Sequence, residues 1–214
     1  MPTAPGPFFI TFEGGEGAGK STQIRRLAEA LGEAGVTAIA TREPGGSPGA
    51  EAIRQLLLEG DDDRWDPVSE ALLHFAARRE HLERTIRPSL ARGTWVLCDR
   101  FADSTMAYQG YGHGLDLEAL AALYRFAVGS QQPDLTLILD LPVELGLQRA
   151  ATRGIAADRY ERRGREFHER LRAGFLAIAD GTPNRCIVID ATQSIDDVAA
   201  AIRNHVFARL LRPS

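Results

Sequence analysis

Lysine is almost missing from this sequence. Of its 25 basic residues 24 are arginine, and Lys20 is the single lysine in 214 residues. Cysteine is scarce too. Cys98 and Cys186 stand far apart, in neither a C-x-x-C nor a metal-ligand spacing. Each lies in or beside an apolar run, so both are read as small core residues of strands. There is no basic excess: 29 acidic against 25 basic residues leave a net charge of −4, which disfavours a dedicated duplex nucleic-acid binder. No apolar run approaches the ~18 residues of a membrane span. No basic residue precedes Lys20, so no signal peptide or Arg-rich transit segment is read, and the cytoplasm is the expected compartment. Repeats and low-complexity linkers are also missing, and one domain over residues 1–214 is expected.

What is present is an alternation of short apolar runs with helical periodicity. Strands are expected at Phe8–Glu13, Val36–Thr41, Thr94–Cys98, Leu135–Asp140 and Arg185–Asp190. Most are apolar without alternation, as in a parallel sheet covered on both faces. Helices are expected at Lys20–Ala34, Gly49–Leu58, Pro67–Ala91, Leu117–Val128, Val143–Thr152, Arg162–Ala179 and Ile195–Leu211. Asp66-Pro67 and Ser194 read as helix starts, and Gly35, Gly93 and Gly181 as stops. The order defines an α/β domain with a five-stranded parallel sheet and helices on both faces. Right-handed crossovers then gather the functional loops at the carboxyl ends of the strands.

The first strand runs directly into Gly14-Gly15-Glu16-Gly17-Ala18-Gly19-Lys20-Ser21-Thr22, which fits G-x-x-x-x-G-K-[ST] with a strand before it and a helix after. Glycines let the backbone curl until several N–H groups point inward, and the helix N-terminus adds its positive end. Lys20 supplies a mobile charge for the β- and γ-phosphates, and the Ser21 hydroxyl is placed for Mg²⁺. In so arginine-rich a chain, lysine here points to a tight loop that a planar guanidinium would not fit. A nucleoside triphosphate is therefore the expected ligand. The loop alone does not separate kinases from switches, motors or transporters. The third strand ends in Asp99, as a Walker-B strand does, near the Mg²⁺ shell, and Arg100 follows at the ligand-binding edge.

From here the chain resembles a known family. Asp99-Arg100-Phe101-Ala102-Asp103-Ser104-Thr105-Met106-Ala107-Tyr108-Gln109-Gly110 is similar to the D-R-[FYH]-x-x-S-[ST]-x-A-Y-Q-G signature of bacterial thymidylate kinases. Thr41-Arg42-Glu43-Pro44-Gly45-Gly46, the Phe12–Thr22 loop region and Asp158-Arg159-Tyr160-Glu161 match further motifs in family order. The resemblance implies a P-loop kinase three-layer fold in a single nucleoside monophosphate kinase domain with a lid near residues 149–165. It implies transfer of the γ-phosphoryl group of ATP to dTMP in dTTP biosynthesis, Mg²⁺ with ATP, a homodimer, and neither a nucleic-acid nor a membrane partner.

It also implies roles. Arg78 and Gln109 would contact the thymine. Arg42, Arg54 and Arg100 would surround the acceptor phosphate, with Glu43 and Pro44 in the same segment. Ser104, Thr105 and Tyr108 would line sugar and base, the tyrosine crowding a ribose 2′-hydroxyl, and Glu16 would lie near the 3′-hydroxyl. Tyr160 and Glu161 would face the nucleotide and its Mg²⁺, and Thr192 would lie beside the adenine. The chain departs from the family at His74, where a phenylalanine usually stacks on the base. A helix-face core histidine is the other reading of that residue.

The residues support the same chemistry separately. A monophosphate, with a second pKa of about 6, is largely a dianion and needs no base to become a nucleophile. It needs cations that hold two anions together. Arg149, Arg153, Arg159, Arg162, Arg163 and Arg165 lie within 17 residues and read as a lid carrying arginine fingers, with Arg153 and Arg159 as catalytic candidates beside Lys20 and Arg100. A kinase for another small acceptor, or a P-loop switch without an acceptor, are the competing readings.

Overall fold

The computed structural model describes residues 6–61, 63–152, 159–160 and 162–210. Its strands are β1 (Phe9–Glu13), β2 (Ala38–Arg42), β3 (Trp95–Asp99), β4 (Leu135–Asp140) and β5 (Cys186–Asp190). All pairings are parallel, in the order β2-β3-β1-β4-β5. The helices are α1 (Lys20–Glu33), α2 (Pro48–Leu58), α3 (Pro67–His81), α4 (Arg87–Ala91), α5 (Ala102–Thr105), α6 (Leu117–Ala127), α7 (Val143–Ala151), α8 (Arg165–Gly181) and α9 (Ile195–Leu210).

Side-chain alternation divides the core into two layers. Ile10, Phe12, Trp95, Leu97, Leu135, Leu137 and Leu139 point to the face covered by α1 and α9, meeting Ile24, Leu27, Leu31, Val198, Ile202 and Val206. Phe9, Val96 and Cys98 point to the other face and pack under α3 and α6 with Phe75, Phe101 and Leu120. Both faces are buried at the central strands β1, β3 and β4, which read as nearly continuous apolar runs, while the edge strands β2 and β5 are part-exposed. The second face is not uniformly apolar. Thr11 and Thr136 share a hydrogen bond of 2.7 Å between their hydroxyls, and Glu13 lies fully buried at the carboxyl end of β1.

The helix boundaries have local causes. Asp66 caps α3 by accepting from the Val68 and Ser69 amides, with Pro67 in the first turn. Gly35 and Gly93 adopt positive φ after α1 and α4, the left-handed stop that glycine takes without strain. Pro67–Ala91 was expected to be one helix, and it is continuous but not uniform. A π-helical turn at Leu82–Ile86 precedes α4. Pro88 lies two residues beyond that turn, lacks an amide hydrogen and would crowd the carbonyl four residues back, and the wider turn relieves both. No helix is expected from the sequence between β3 and Leu117. The chain there forms α5 and a π-helical segment, Met106–Gly112.

The phosphate loop is held close to α7. A Cβ on Gly17, which has φ +67°, would fall 2.1 Å from the Gly146 carbonyl oxygen, and one on Gly146 would fall 2.5 Å from the Glu16 carbonyl oxygen. A Gly146→Ala substitution therefore has to move the loop backbone. Its expected cost is about 1–3 kcal/mol of stability, with weaker ATP binding. Thermal melts and nucleotide titrations check this; a variant matching the parent in both would show that the close approach is unimportant.

Candidate active site

The carboxyl ends of β1 and β3 open into a cleft of about 460 Å³. One wall is the loop from Glu16 to Thr22. The others are Arg42, Glu43 and Pro44 after β2, Arg54 and Leu58 on α2, His74 and Arg78 on α3, and Asp99 to Gln109 around β3 and α5, with Arg149 and Tyr160 at the rim. One cavity thus brings together Glu16, Gly17, Ala18, Gly19, Lys20, Ser21, Thr22, Arg42, Glu43, Pro44, Arg54, His74, Arg78, Asp99, Arg100, Ser104, Thr105, Tyr108, Gln109, Arg149 and Tyr160, all expected from the sequence. Leu58 and Phe101 line it as well and were not anticipated.

At the phosphate end, Lys20 Nζ donates to the carbonyls of Gly14 and Gly15, at 3.1 and 2.9 Å. These two glycines stand behind the loop instead of lining the cleft. Burial, and then Arg100, hold the Lys20 ammonium below its ordinary pKa. Ser21 Oγ donates to Asp99 Oδ2 at 2.7 Å, so the two oxygen groups expected near a metal are already adjacent. Arg100 has φ +67°, an uncommon conformation for a side chain of its size, and this turns the guanidinium back over the loop. It donates to the Gly14 carbonyl (3.1 Å), Ser104 Oγ (3.2 Å) and Glu16 Oε1 (2.8 Å), and lies over the Tyr108 ring. Burial lowers its pKa, but Tyr108, Glu16, Asp99 and Glu13 more than reverse that, so the charge is permanent.

The turn carrying Arg100 is anchored from below by Glu13. Its carboxyl accepts from the Phe101 amide (2.7 Å) and Ser104 Oγ (2.6 Å). Burial and the nearby Asp103 push its pKa up to about 8. In the sequence Glu13 is only the last residue of an apolar strand. A lone carboxylate inside such a run was the available signal.

At the far end the polar groups are fully enclosed. Arg78 is 2% exposed. Its Nε donates to Glu43 Oε2 at 2.7 Å, and its Nη2 donates to the Phe101 carbonyl and Thr105 Oγ1, both at 3.0 Å. Glu43 also binds His81 Nδ1 at 3.0 Å, so both its oxygens are engaged in holding α3 residues. Two buried atoms on the cleft wall have no protein partner: Arg78 Nη1, a donor, and Gln109 Oε1, an acceptor. Among the acceptor-side arginines, Arg42 pairs with Glu51 at 3.1 Å near the mouth, and Arg54 donates to the Pro44 carbonyl at 2.7 Å.

Besides Gly14 and Gly15, two more expected residues stand elsewhere. Arg159 does not line the cleft: it is 1% exposed, donates to the Leu57 carbonyl at 3.0 Å and pairs with Glu70 at 3.4 Å. In this conformation a buried carboxylate holds the guanidinium that was expected at the phosphates. Thr192 also lies outside the cleft, its amide and hydroxyl both turned to Asp190 Oδ1. Arg149, at the rim, donates to the Ala191 carbonyl at 3.0 Å. Arg153 and Glu161 lie outside the described residues.

A parallel sheet in this order, with a Gly-rich loop after its first strand and an Asp-Arg pair after its third, defines a P-loop phosphotransferase. Residues 12–202 match the thymidylate kinase family. The chain is 64% identical to the thymidylate kinase of Caulobacter vibrioides, covering 95% of this chain and 97% of that protein. It is 52% identical to that of Dinoroseobacter shibae, covering 95% and 98%. The crystal structure of thymidylate kinase from Ehrlichia chaffeensis superposes with a TM-score of 0.76 at 39% identity, covering 94% of this chain and 99% of that one. The chain belongs to the thymidylate kinase family.

His74 occupies the cleft wall as a neutral ring. Burial, and then Arg78, Arg100 and Arg159, bring its pKa down to about 3, and its Nε2 lies 2.8 Å from the Tyr160 hydroxyl. Between pH 3 and 6.5 the unfolded chain therefore binds a proton at this histidine that the folded chain does not. Its contribution to stability is complete above pH 6.5 and is lost as pH falls. Between pH 6.5 and 5 the loss is expected to be of order 1 kcal/mol, or roughly 2–4 °C in Tm. Relative to the parent, a His74→Phe variant should therefore hold its Tm better by about that amount as pH falls over that range. His113, also held low by burial, adds to this slope, and Glu13, held high, opposes it, so the difference between variant and parent carries the test. Equal slopes would refute the assignment.

Proposed function

We propose that this protein transfers the γ-phosphoryl group of ATP to dTMP, giving dTDP and ADP, in the supply of dTTP. The observation that carries this is the continuity of the cleft. A phosphate-binding loop at one end and, at the other, Arg78 and Gln109, whose Nη1 donor and Oε1 acceptor are buried without protein partners, line one cavity. Thymine offers a carbonyl at C4 beside an N3–H, which complements that pair. Cytosine offers an amine and a bare nitrogen there, which does not.

The reaction asks the protein for little covalent chemistry. The acceptor dianion attacks without a base, so catalysis consists of positioning and of stabilising charge. Lys20 and the loop amides hold the β- and γ-phosphates. Arg100, placed between the loop and Ser104, carries permanent charge to where donor and acceptor phosphates meet. Arg42 and Arg54 extend that field towards the acceptor. Glu16 and Tyr108, hydrogen-bonded to each other, form the wall against which the sugar lies. Arg159 contributes to transfer only if it leaves Glu70, so its action is tied to lid rearrangement.

Mg²⁺ fits this site. Ser21 and Asp99 present hard oxygens side by side, and the described residues hold no cluster of three carboxylate, histidine or cysteine ligands. An ion with so few protein ligands takes the rest from phosphates and water, the habit of Mg²⁺. When bound, Mg²⁺ neutralises developing charge on the β- and γ-oxygens. The two cysteines are buried and unpaired, which suits the reducing cytoplasm.

We also propose a homodimer. Val68 and Leu72 form an exposed apolar stripe on α3, and Arg79 links that helix to the carbonyl of Ala127 at the end of α6, beside Phe126, which is 90% exposed. A second copy of this chain is the expected cover. Phe126→Asp should shift sedimentation at micromolar concentration towards monomer, and an unchanged sedimentation coefficient would remove the α6 end from the interface.

The activity is tested by ADP release from ATP with dTMP, dUMP, dCMP or dAMP as acceptor. Stimulation is expected with dTMP, and at least tenfold lower kcat/KM with dCMP and dAMP. ATP turnover indifferent to dTMP would overturn the proposal.

A further inference from the structure

The orientation of one side-chain amide decides what the base pocket can read, and a residue outside the cleft lining sets that orientation. Gln109 is fully buried. Its Nε2 donates to Glu70 Oε1 at 2.8 Å, and its Oε1 is buried without a protein partner, on a residue of the cleft wall. The two ends of a carboxamide have nearly the same size, so packing alone does not choose between them. The partner behind the amide chooses. Glu70 is also buried, and its other oxygen, Oε2, lies 3.4 Å from the Arg159 guanidinium. His113 Nε2 stands 3.7 Å from Oε1, too far for a hydrogen bond but a third nitrogen facing the same carboxylate. A carboxylate accepts hydrogen bonds and has none to donate. If the Gln109 amide flipped, two acceptor oxygens would face each other in a buried site, and an N–H would point at the base instead of a C=O.

We infer that Glu70 is a positioning residue that makes the pocket discriminate keto from amino pyrimidines, by holding Gln109 with its acceptor towards the base. The inference rests on the dTMP reading above and deepens it. Gln109 touches the base and Glu70 does not, so Glu70 acts at one remove, from one helical turn before His74 and two before Arg78 on α3. That spacing of four and eight residues puts Glu70, His74 and Arg78 along one face of the helix. Arg78 needs no such help, because Glu43, Phe101 and Thr105 fix its fork and a guanidinium has only donors to offer.

The test is the ratio of kcat/KM for dTMP to that for dCMP, measured with two variants and the parent protein. Glu70→Gln is nearly isosteric but can donate, so it tolerates either orientation of Gln109. The ratio is expected to fall at least tenfold, with KM for dTMP rising and KM for dCMP falling. Gln109→Leu removes the acceptor itself and should also lower the ratio at least tenfold. A general loss of structure would depress activity on both substrates together and leave the ratio in place. Thermal melts establish that each variant is folded. If Glu70→Gln melts below the assay temperature, Glu70→Asp takes its place, since withdrawing the carboxylate by one methylene loosens its hold on Gln109 and should lower the same ratio. A parental ratio in Gln109→Leu would overturn the base reading itself. A lowered ratio in Gln109→Leu with a parental ratio in the position-70 variant would overturn the inference about Glu70 alone.

Discussion

A guanidinium buried without a partner is too costly to keep, and this site depends on burying several. Arg78 is held by Glu43, Arg100 by Glu16, and Arg159 by Glu70. Each pairing offsets the desolvation of the cation and fixes its direction, so that an interior rich in positive charge can form before any phosphate arrives. The carboxylates do not neutralise the site for nothing. Glu43 leaves Arg78 Nη1 without a protein partner, and Glu70 does the same for Gln109 Oε1, both on residues of the cleft wall. The partners engage one side of the working groups and leave hydrogen-bonding capacity on the other unused.

The fold provides the places for these pairs. Parallel strands end at one edge, and β1 and β3 are neighbours in the sheet although more than 80 residues separate them in the chain. Glu13 at the end of β1 can therefore bind the Phe101 amide just beyond β3, and Ser21 at the start of α1 can reach Asp99. The glycines serve closeness as much as curvature. Gly17 and Gly146 let the phosphate loop and α7 approach to distances that side chains would forbid. A loop held that tightly presents its amides in a constant arrangement, which is what electrostatic stabilisation of a transferring phosphoryl group requires.

Much of this was legible in the residues. All five strands fall within two residues of their expected bounds, because the central β1, β3 and β4 are buried almost throughout, the edge strands keep mostly apolar side chains, and each of the five ends in Asp, Glu or Arg. The segment from Ala102 to Gly112 escaped because it faces the site. Asp103, Ser104, Thr105 and Gln109 are buried yet polar, so the hydrophobic period that marks a helix is missing from a helical segment. The π-helical turn before Pro88 escaped for another reason. Apolar spacing registers a helix but not a one-residue change in its hydrogen-bond ladder.

By itself the sequence determined the layer order, the phosphate loop and the family to which the chain belongs. These depend on local patterns and on motifs whose residues are neighbours in the chain. Only the tertiary structure decided which groups stand behind the working ones. Glu70 meets Gln109 across 39 residues, and Arg159 turns inward to that same carboxylate across 89. Such pairings are settled by how buried charges from distant elements can be satisfied together, and no spacing along the chain encodes them.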